Sequence, residues 1–181
     1  MKKLSLVGIF VLGLGLIYLM YHLVAPPIVQ QKQSLDDATN TESLIAADGS
    51  ETLSKMTSRQ AGIYYYGFPE CPWCQELVPV LERVLKEEET TAFAVDIHDK
   101  QYSQKDSQTL KSFYQDQVKQ ENVSVPFLVA INEAGEVRIH VGTVDGHNAK
   151  MKKMTRKQKE ELTKALRELV IWGSHDDILD S

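Results

Sequence analysis

Cysteine is nearly absent, with two in 181 residues, at Cys71 and Cys74. That scarcity excludes a disulfide framework and a four-thiolate zinc site, and it leaves one local pair that serves chemistry or nothing. A basic excess is missing too. Lys and Arg number 20 against 25 Asp and Glu, a net charge of −5, so there is no cationic surface suited to releasing counterions from phosphates, and nucleic acid is not an expected partner. Internal repeats are lacking. With 43% hydrophobic residues, disorder of the whole chain is excluded, and the length suits one globular domain with accessories rather than two domains.

What is present first is a long apolar run. After Lys2 and Lys3, the 22 residues from Leu4 to Ala25 carry no Lys, Arg, Asp or Glu, and roughly 20 apolar residues cross a hydrocarbon core as a helix. The run is apolar nearly all round, unlike the one-sided stripe of a surface helix. A cleaved signal peptide is the competing reading. Its apolar region is normally about 7 to 15 residues and ends in small residues, whereas here Leu23, Val24 and Ala25 meet Pro26 and Pro27. The expected element is therefore an uncleaved signal-anchor over residues 1–25. Lys2 and Lys3 precede it, and Lys32 against Asp36 and Asp37 follows it, so the amino terminus is expected in the cytoplasm and the remainder outside. Residues 26–50, rich in Gln, Ser, Thr, Asp and Asn, read as a flexible linker spanning on the order of 25 to 30 Å.

From residue 51 to 181 the pattern is that of an α/β domain. A short helical stretch around Thr52 to Met56 precedes Ile63, Tyr64, Tyr65 and Tyr66, a β-prone run stopped by Gly67 and Pro69. Leu77, Val78, Leu81, Val84 and Leu85 mark one face of a helix running to about Glu88. Thr91 to Ile97 is a second strand, with Phe93, Val95 and Ile97 on one side. Leu110, Phe113, Tyr114 and Val118 lie at helical spacing. Pro126 to Ile131, a turn over Asn132 to Gly135, and Glu136 to Val141 form a hairpin whose Glu136, Arg138 and His140 face water. Thr155 with Gln158 makes a capping box for a last helix with Leu162, Ala165, Leu166, Leu169 and Trp172 facing inward. The basic cluster from Lys150 to Lys159 reads as its solvated start.

Cys71-Pro72-Trp73-Cys74 follows a strand and opens a helix. Cys71 then falls near the N-cap, Pro72 at the first helical position, and Cys74 one turn in. Free N–H groups and the helix dipole, worth roughly 0.3 to 1 kcal/mol, favour a thiolate at Cys71. The spacing predicts an exposed first sulfur and a half-covered second one. Cys71 is thus the candidate nucleophile and Cys74 the resolving thiol. A zinc half-site would need two of His98, His140, His147 and His175, none of them paired at ligand spacing, so no metal is expected. Trp73 reads either as a substrate platform or as packing for the loop.

These residues resemble the thioredoxin-like thiol-disulfide oxidoreductases. Pro79 stands five residues after Cys74, where that family kinks the active-site helix. Val125-Pro126 begins the hairpin at the place of the family's cis-proline, and Gly142 closes it as the family's glycine does. The sequence from Tyr66 to Cys74 is, more narrowly, similar to that of the bacteriocin transport accessory proteins of Gram-positive bacteria. The resemblance implies a thioredoxin-like fold, a central mixed sheet flanked by helices, behind the transmembrane helix. It implies an enzyme whose only redox centre is a Cys71-Cys74 disulfide, with no separate cofactor, and a substrate contacted by Pro72, Trp73, Val125 and Pro126.

The chain departs from cytosolic thioredoxins at Tyr65, where those proteins bury an acid that helps deprotonate the second cysteine. It also lacks a histidine between the cysteines, and Glu70 slightly disfavours the thiolate. The expected function is a membrane-anchored, extracytoplasmic oxidoreductase acting mainly as an oxidant on exported cysteine-containing peptides or proteins, regenerated by a membrane redox partner or working beside an exporter. A reductase, or a binding module without turnover, is the alternative.

Overall fold

The computed structural model describes residues 43–174. The expected anchor, most of the expected linker and His175 lie outside them. Among the described residues no helix is long and apolar enough to cross a membrane.

Nine elements follow in the order β1 (Leu44–Ala46), α1 (Gly49–Thr57), β2 (Gly62–Gly67), α2 (Pro72–Glu87), β3 (Ala92–Asp96), α3 (Gln104–Val118), β4 (Phe127–Ile131), β5 (Val137–Val141) and α4 (Arg156–Ser174). The helix starts are written locally. Asp48 accepts from the Glu51 N–H at 2.8 Å, Ser103 and Asp106 form a reciprocal capping box, and Thr155 with Gln158 does the same for α4. Each arrangement satisfies N–H groups that the first helical turn leaves unpaired.

The strands form one mixed sheet in the order β1-β3-β2-β4-β5. β1, β3 and β2 run parallel, while β4 is antiparallel to β2 and β5 to β4. Strand alternation then separates two cores. Ile63, Tyr65, Leu128 and Ala130 face α2 and α4. Tyr64, Tyr66, Phe127, Val129 and Ile131 face α1 and α3. β4 is buried on both faces, which is why its sequence is a continuous apolar run rather than an alternating one. Gly173 permits the close seating of α4, since a Cβ there would stand 2.8 Å from that of Ala130.

Two expectations need correction here. The sheet begins at Leu44, so the last part of the segment read as linker to residue 50 belongs to the domain. Its strand is fixed by backbone pairing, with the Ala92 N–H donating to Ser43 O at 2.8 Å and the Ala47 N–H to Ala94 O at 2.9 Å. Three residues at a sheet edge are too few to display an alternation. His140 does not face water: it lies opposite Leu128 on the side covered by α4. Burial pushes its imidazole pKa below the ordinary value. Arg138 on the same side sits over the Trp172 ring, 4.3 Å from its centroid.

Candidate active site

β2 delivers the chain to the cysteine pair. Gly67 ends the strand, the Cys71 N–H donates to Phe68 O at 3.2 Å, and the Gln75 side chain donates to Pro69 O at 2.8 Å, which fixes the connecting turn. Cys71 is the N-cap of α2, with extended backbone and Pro72 at the first helical position. Its sulfur accepts from the Cys74 N–H at 3.3 Å. Proline costs nothing there, because that position has no intrahelical acceptor for its N–H.

Both thiols are free, and both are more enclosed than their positions in sequence suggested. Cys71 is 3% exposed and Cys74 is 2%. The Val125 carbonyl lies 3.8 Å from the Cys71 sulfur and accepts from its thiol, so the segment before β4 covers what the helix start alone would leave open. Val125-Pro126 is a cis peptide and Pro126 is buried. The Gly142 N–H, in the left-handed conformation with φ of +75°, donates to Pro126 O at 2.8 Å and closes the hairpin behind it. Pro79 stands inside α2. Val125 thus meets the Cys71 sulfur, and Pro79 lines the cavity beside Cys74.

Cys74 has a different environment. Burial pushes its thiol pKa up to about 11, reinforced by its hydrogen bond with Cys71 and opposed by hydrogen bonds from the Tyr65 hydroxyl and the Phe68 backbone. The Tyr65 hydroxyl itself is pushed far above its ordinary range by burial first and then by Cys74. A cavity of about 440 Å³, lined among others by Tyr65, Phe68, Cys74, Pro79 and Asp96, opens on this second thiol.

Trp73 is half-buried, with the Lys150 ammonium 5.7 Å from the centroid of its ring. Lys150 belongs to the connection between β5 and α4, which is tied to α2 through Glu76. One Glu76 oxygen accepts from the Met154 N–H at 2.8 Å and lies 3.3 Å from His147 Nε2; the other is 3.8 Å from Lys153 Nζ. The Glu76 and His147 side chains are both buried. Sequence reading passed over this tie. The available signal was a glutamate inside the apolar face of α2, but its partner is 71 positions away. His98 stacks on Phe68 at 3.7 Å, so His98, His140 and His147 serve separate places, and among the described residues no cluster of three metal-ligating side chains forms.

No protein-family model matches the chain, and no curated protein does. Among solved structures it is similar to thioredoxin O2 from Arabidopsis thaliana in the oxidised state, at 17% identity over 71% of this chain and 96% of that one, with a TM-score of 0.42. It is also similar to a Trichomonas vaginalis thioredoxin, at 15% identity over 56% of this chain and 87% of that one, with a TM-score of 0.36. Both are thioredoxins. Likenesses so remote carry no chemistry, which rests on the side chains described above.

The arrangement has two unequal sulfurs in one helical turn. A thiolate, not a thiol, is the nucleophile in disulfide exchange. Cys71 is presented at the helix start, where N–H groups and the dipole meet negative charge, whereas Cys74 remains a thiol at neutral pH. Attack at or by Cys71, with Cys74 as the second thiol, is the order that this asymmetry allows.

Proposed function

We propose that this protein is a thiol-disulfide oxidoreductase, anchored in the membrane by residues 1–25 and acting outside it, chiefly as an oxidant of exported cysteine-containing peptides or proteins. Bacteriocins are the narrowest substrate class that the resemblance suggests. The observation carrying the redox reading is the Cys71 sulfur at the N-cap of α2, accepting from the Cys74 N–H beside the Val125 carbonyl.

In the oxidising direction a substrate thiolate attacks Cys71 of the Cys71-Cys74 disulfide. The S–S bond breaks, and Cys74 leaves with the electron pair and takes a proton. A second substrate thiolate then attacks the substrate sulfur of the mixed disulfide and expels Cys71 as a thiolate. The substrate gains a disulfide and the enzyme gains two electrons, which a membrane redox partner removes. Three arguments favour this direction: disulfides persist outside the cytoplasm, the helix start holds the charge of the Cys71 thiolate, and Tyr65 supplies no base for the reverse route. Pro72, Trp73, Val125 and Pro126 form the proposed contact surface for substrate.

Equilibration of the purified protein with glutathione redox buffers, read by thiol trapping, tests the direction. A potential tens of millivolts above that of a reducing thioredoxin is expected, roughly 30 mV for each tenfold change in the exchange constant, together with oxidation of a reduced two-cysteine peptide and loss of that activity in Cys71→Ser. A potential as low as a reducing thioredoxin's, with no peptide oxidation, would establish the reductase instead. Binding that survives Cys71→Ser, with no turnover in the wild type, would establish a binding module. Protease accessibility of the domain on intact cells tests its location.

A further inference from the structure

A buried tyrosine in a strand commonly sends its hydroxyl to a backbone carbonyl, as Tyr64 does to Gln60 O at 2.8 Å. Tyr65 does something else. Its ring is on the α2 side of β2, it is 6% exposed, and its hydroxyl occupies the space over Gly67. A Cβ built on Gly67 would collide with that hydroxyl and stand 3.0 Å from the Cys74 sulfur. Glycine at this position therefore leaves room for hydroxyl and sulfur to face each other, and the hydroxyl lies on the side of the Cys74 sulfur where it favours negative charge there. Cys71 from α2, Tyr65 from β2 and Asp96 from β3 are the titratable groups that face this place.

We infer that Tyr65 is a catalytic residue of the redox cycle, a fixed hydrogen-bond donor that holds the negative charge of the Cys74 sulfur whenever that sulfur leaves or attacks. The inference rests on the reading of Cys71 and Cys74 as a redox pair, and it applies in either direction, because the same sulfur bears the charge when the internal disulfide opens and when it closes. In the closing step the Cys74 thiol gives its proton to solvent in the adjoining cavity. The thiolate then attacks the Cys71 sulfur of a mixed disulfide, the Cys71-Cys74 bond forms, and the substrate sulfur departs with the electron pair of the broken bond. Tyr65 donates throughout and is not consumed. Its hydroxyl cannot act as the base here, since burial beside Cys74 keeps it protonated.

The size of the effect follows from two opposing terms. A hydrogen bond to a charged group is worth enough to change the thiolate fraction by about ten- to a hundredfold. The weaker acid is also the better nucleophile, which returns about half of that on a logarithmic scale. Removal of the hydroxyl should therefore slow attack by Cys74 about three- to tenfold.

The full-length protein is reduced and mixed with 5,5′-dithiobis(2-nitrobenzoate). The Cys71 thiolate releases one thionitrobenzoate in forming the mixed disulfide, and Cys74 releases the second in closing the ring. In Tyr65→Phe the first phase should be unchanged and the second about three- to tenfold slower. Its rise with pH should continue to higher pH than in the wild type, since the hydroxyl lowers the Cys74 pKa. Tyr66→Phe, on the opposite face, is the control and should change neither phase. If Tyr65→Phe does not fold, Tyr65→Met, which also lacks the hydroxyl, poses the same question; a selectively slower second phase supports the inference there too. An unchanged second phase, or equal slowing of both phases, would overturn the role of Tyr65. A wild type that never releases the second thionitrobenzoate would overturn the redox pair itself, and this inference with it.

Discussion

Tyr64, Tyr65 and Tyr66 are consecutive, equally aromatic and all buried, yet they belong to two regions with opposite demands. Tyr64 and Tyr66 point to the α1 and α3 side, where rings fill space: Tyr64 stacks on Phe93 at 5.7 Å and Tyr66 lies 6.3 Å from Phe127. Tyr65 points to the α2 side, where space is left beside Cys74. A strand turns adjacency in sequence into segregation in space. The lesson concerns hydroxyls more than rings. One is hydrogen-bonded to backbone, one faces the Cys74 sulfur, and one, on Tyr66, is buried without a partner.

The largest expected effect breaks the packed region alone. Tyr66→Ala removes a fully buried ring and should cost about 3 to 5 kcal/mol in urea unfolding, in line with large-to-small core changes, while thiol exchange per folded molecule is retained. An equal loss of exchange would mean that the two faces are not independent.

The next test concerns pH on the site side. Because the fold raises the Cys74 pKa to about 11 from an ordinary 9.0, the thiol contributes stability that is fully present below pH 9 and is lost as pH rises through about 11. The same shift confines alkylation by limiting iodoacetamide at pH 7 to 8 to Cys71. Peptide mapping that shows equal labelling of Cys74 would contradict it.

The smallest effects sharpen the comparison. Tyr64→Phe leaves Gln60 O without its donor and should cost about 0.5 to 1.5 kcal/mol. Tyr66→Phe removes a hydroxyl that has no partner and should be neutral or slightly stabilising by the same logic. Thermal unfolding of the two variants side by side reads the difference, and equal shifts would show that the hydroxyl environments are alike.

Much of this was legible in the chain because it is local. The helix start at Cys71-Pro72 and the Thr155–Gln158 box each depend on residues within one turn, and the β-prone run of β2 and the alternation of β5 are visible within five or six residues. What escaped is relational. β1 is held by hydrogen bonds to β3 that leave no mark in three residues of sequence. The enclosure of Cys71 comes from Val125, 54 positions away, and that of His140 from α4. Glu76 gives its charge to a connection far along the chain. Even Tyr65, identified at the outset as a departure from the expected acid, gained a positive role only once Gly67 was seen to make room for its hydroxyl.

The tie through Glu76 separates two kinds of change. Its carboxylate holds the segment that presents Lys150, Met151 and Lys152 to solvent beside Trp73, and it does so from the α2 side, without using the sheet or either sulfur. Residues between Gly146 and Lys153, other than His147 and Asn148, whose side chain accepts from the Lys150 N–H, are therefore free to drift as a replaceable cassette. On the redox reading proposed above, such drift would retune which polypeptides approach Cys71, while the electron chemistry beneath remained under separate constraint. On that reading, recognition and reactivity would be mounted on one helix but written in different stretches of the chain.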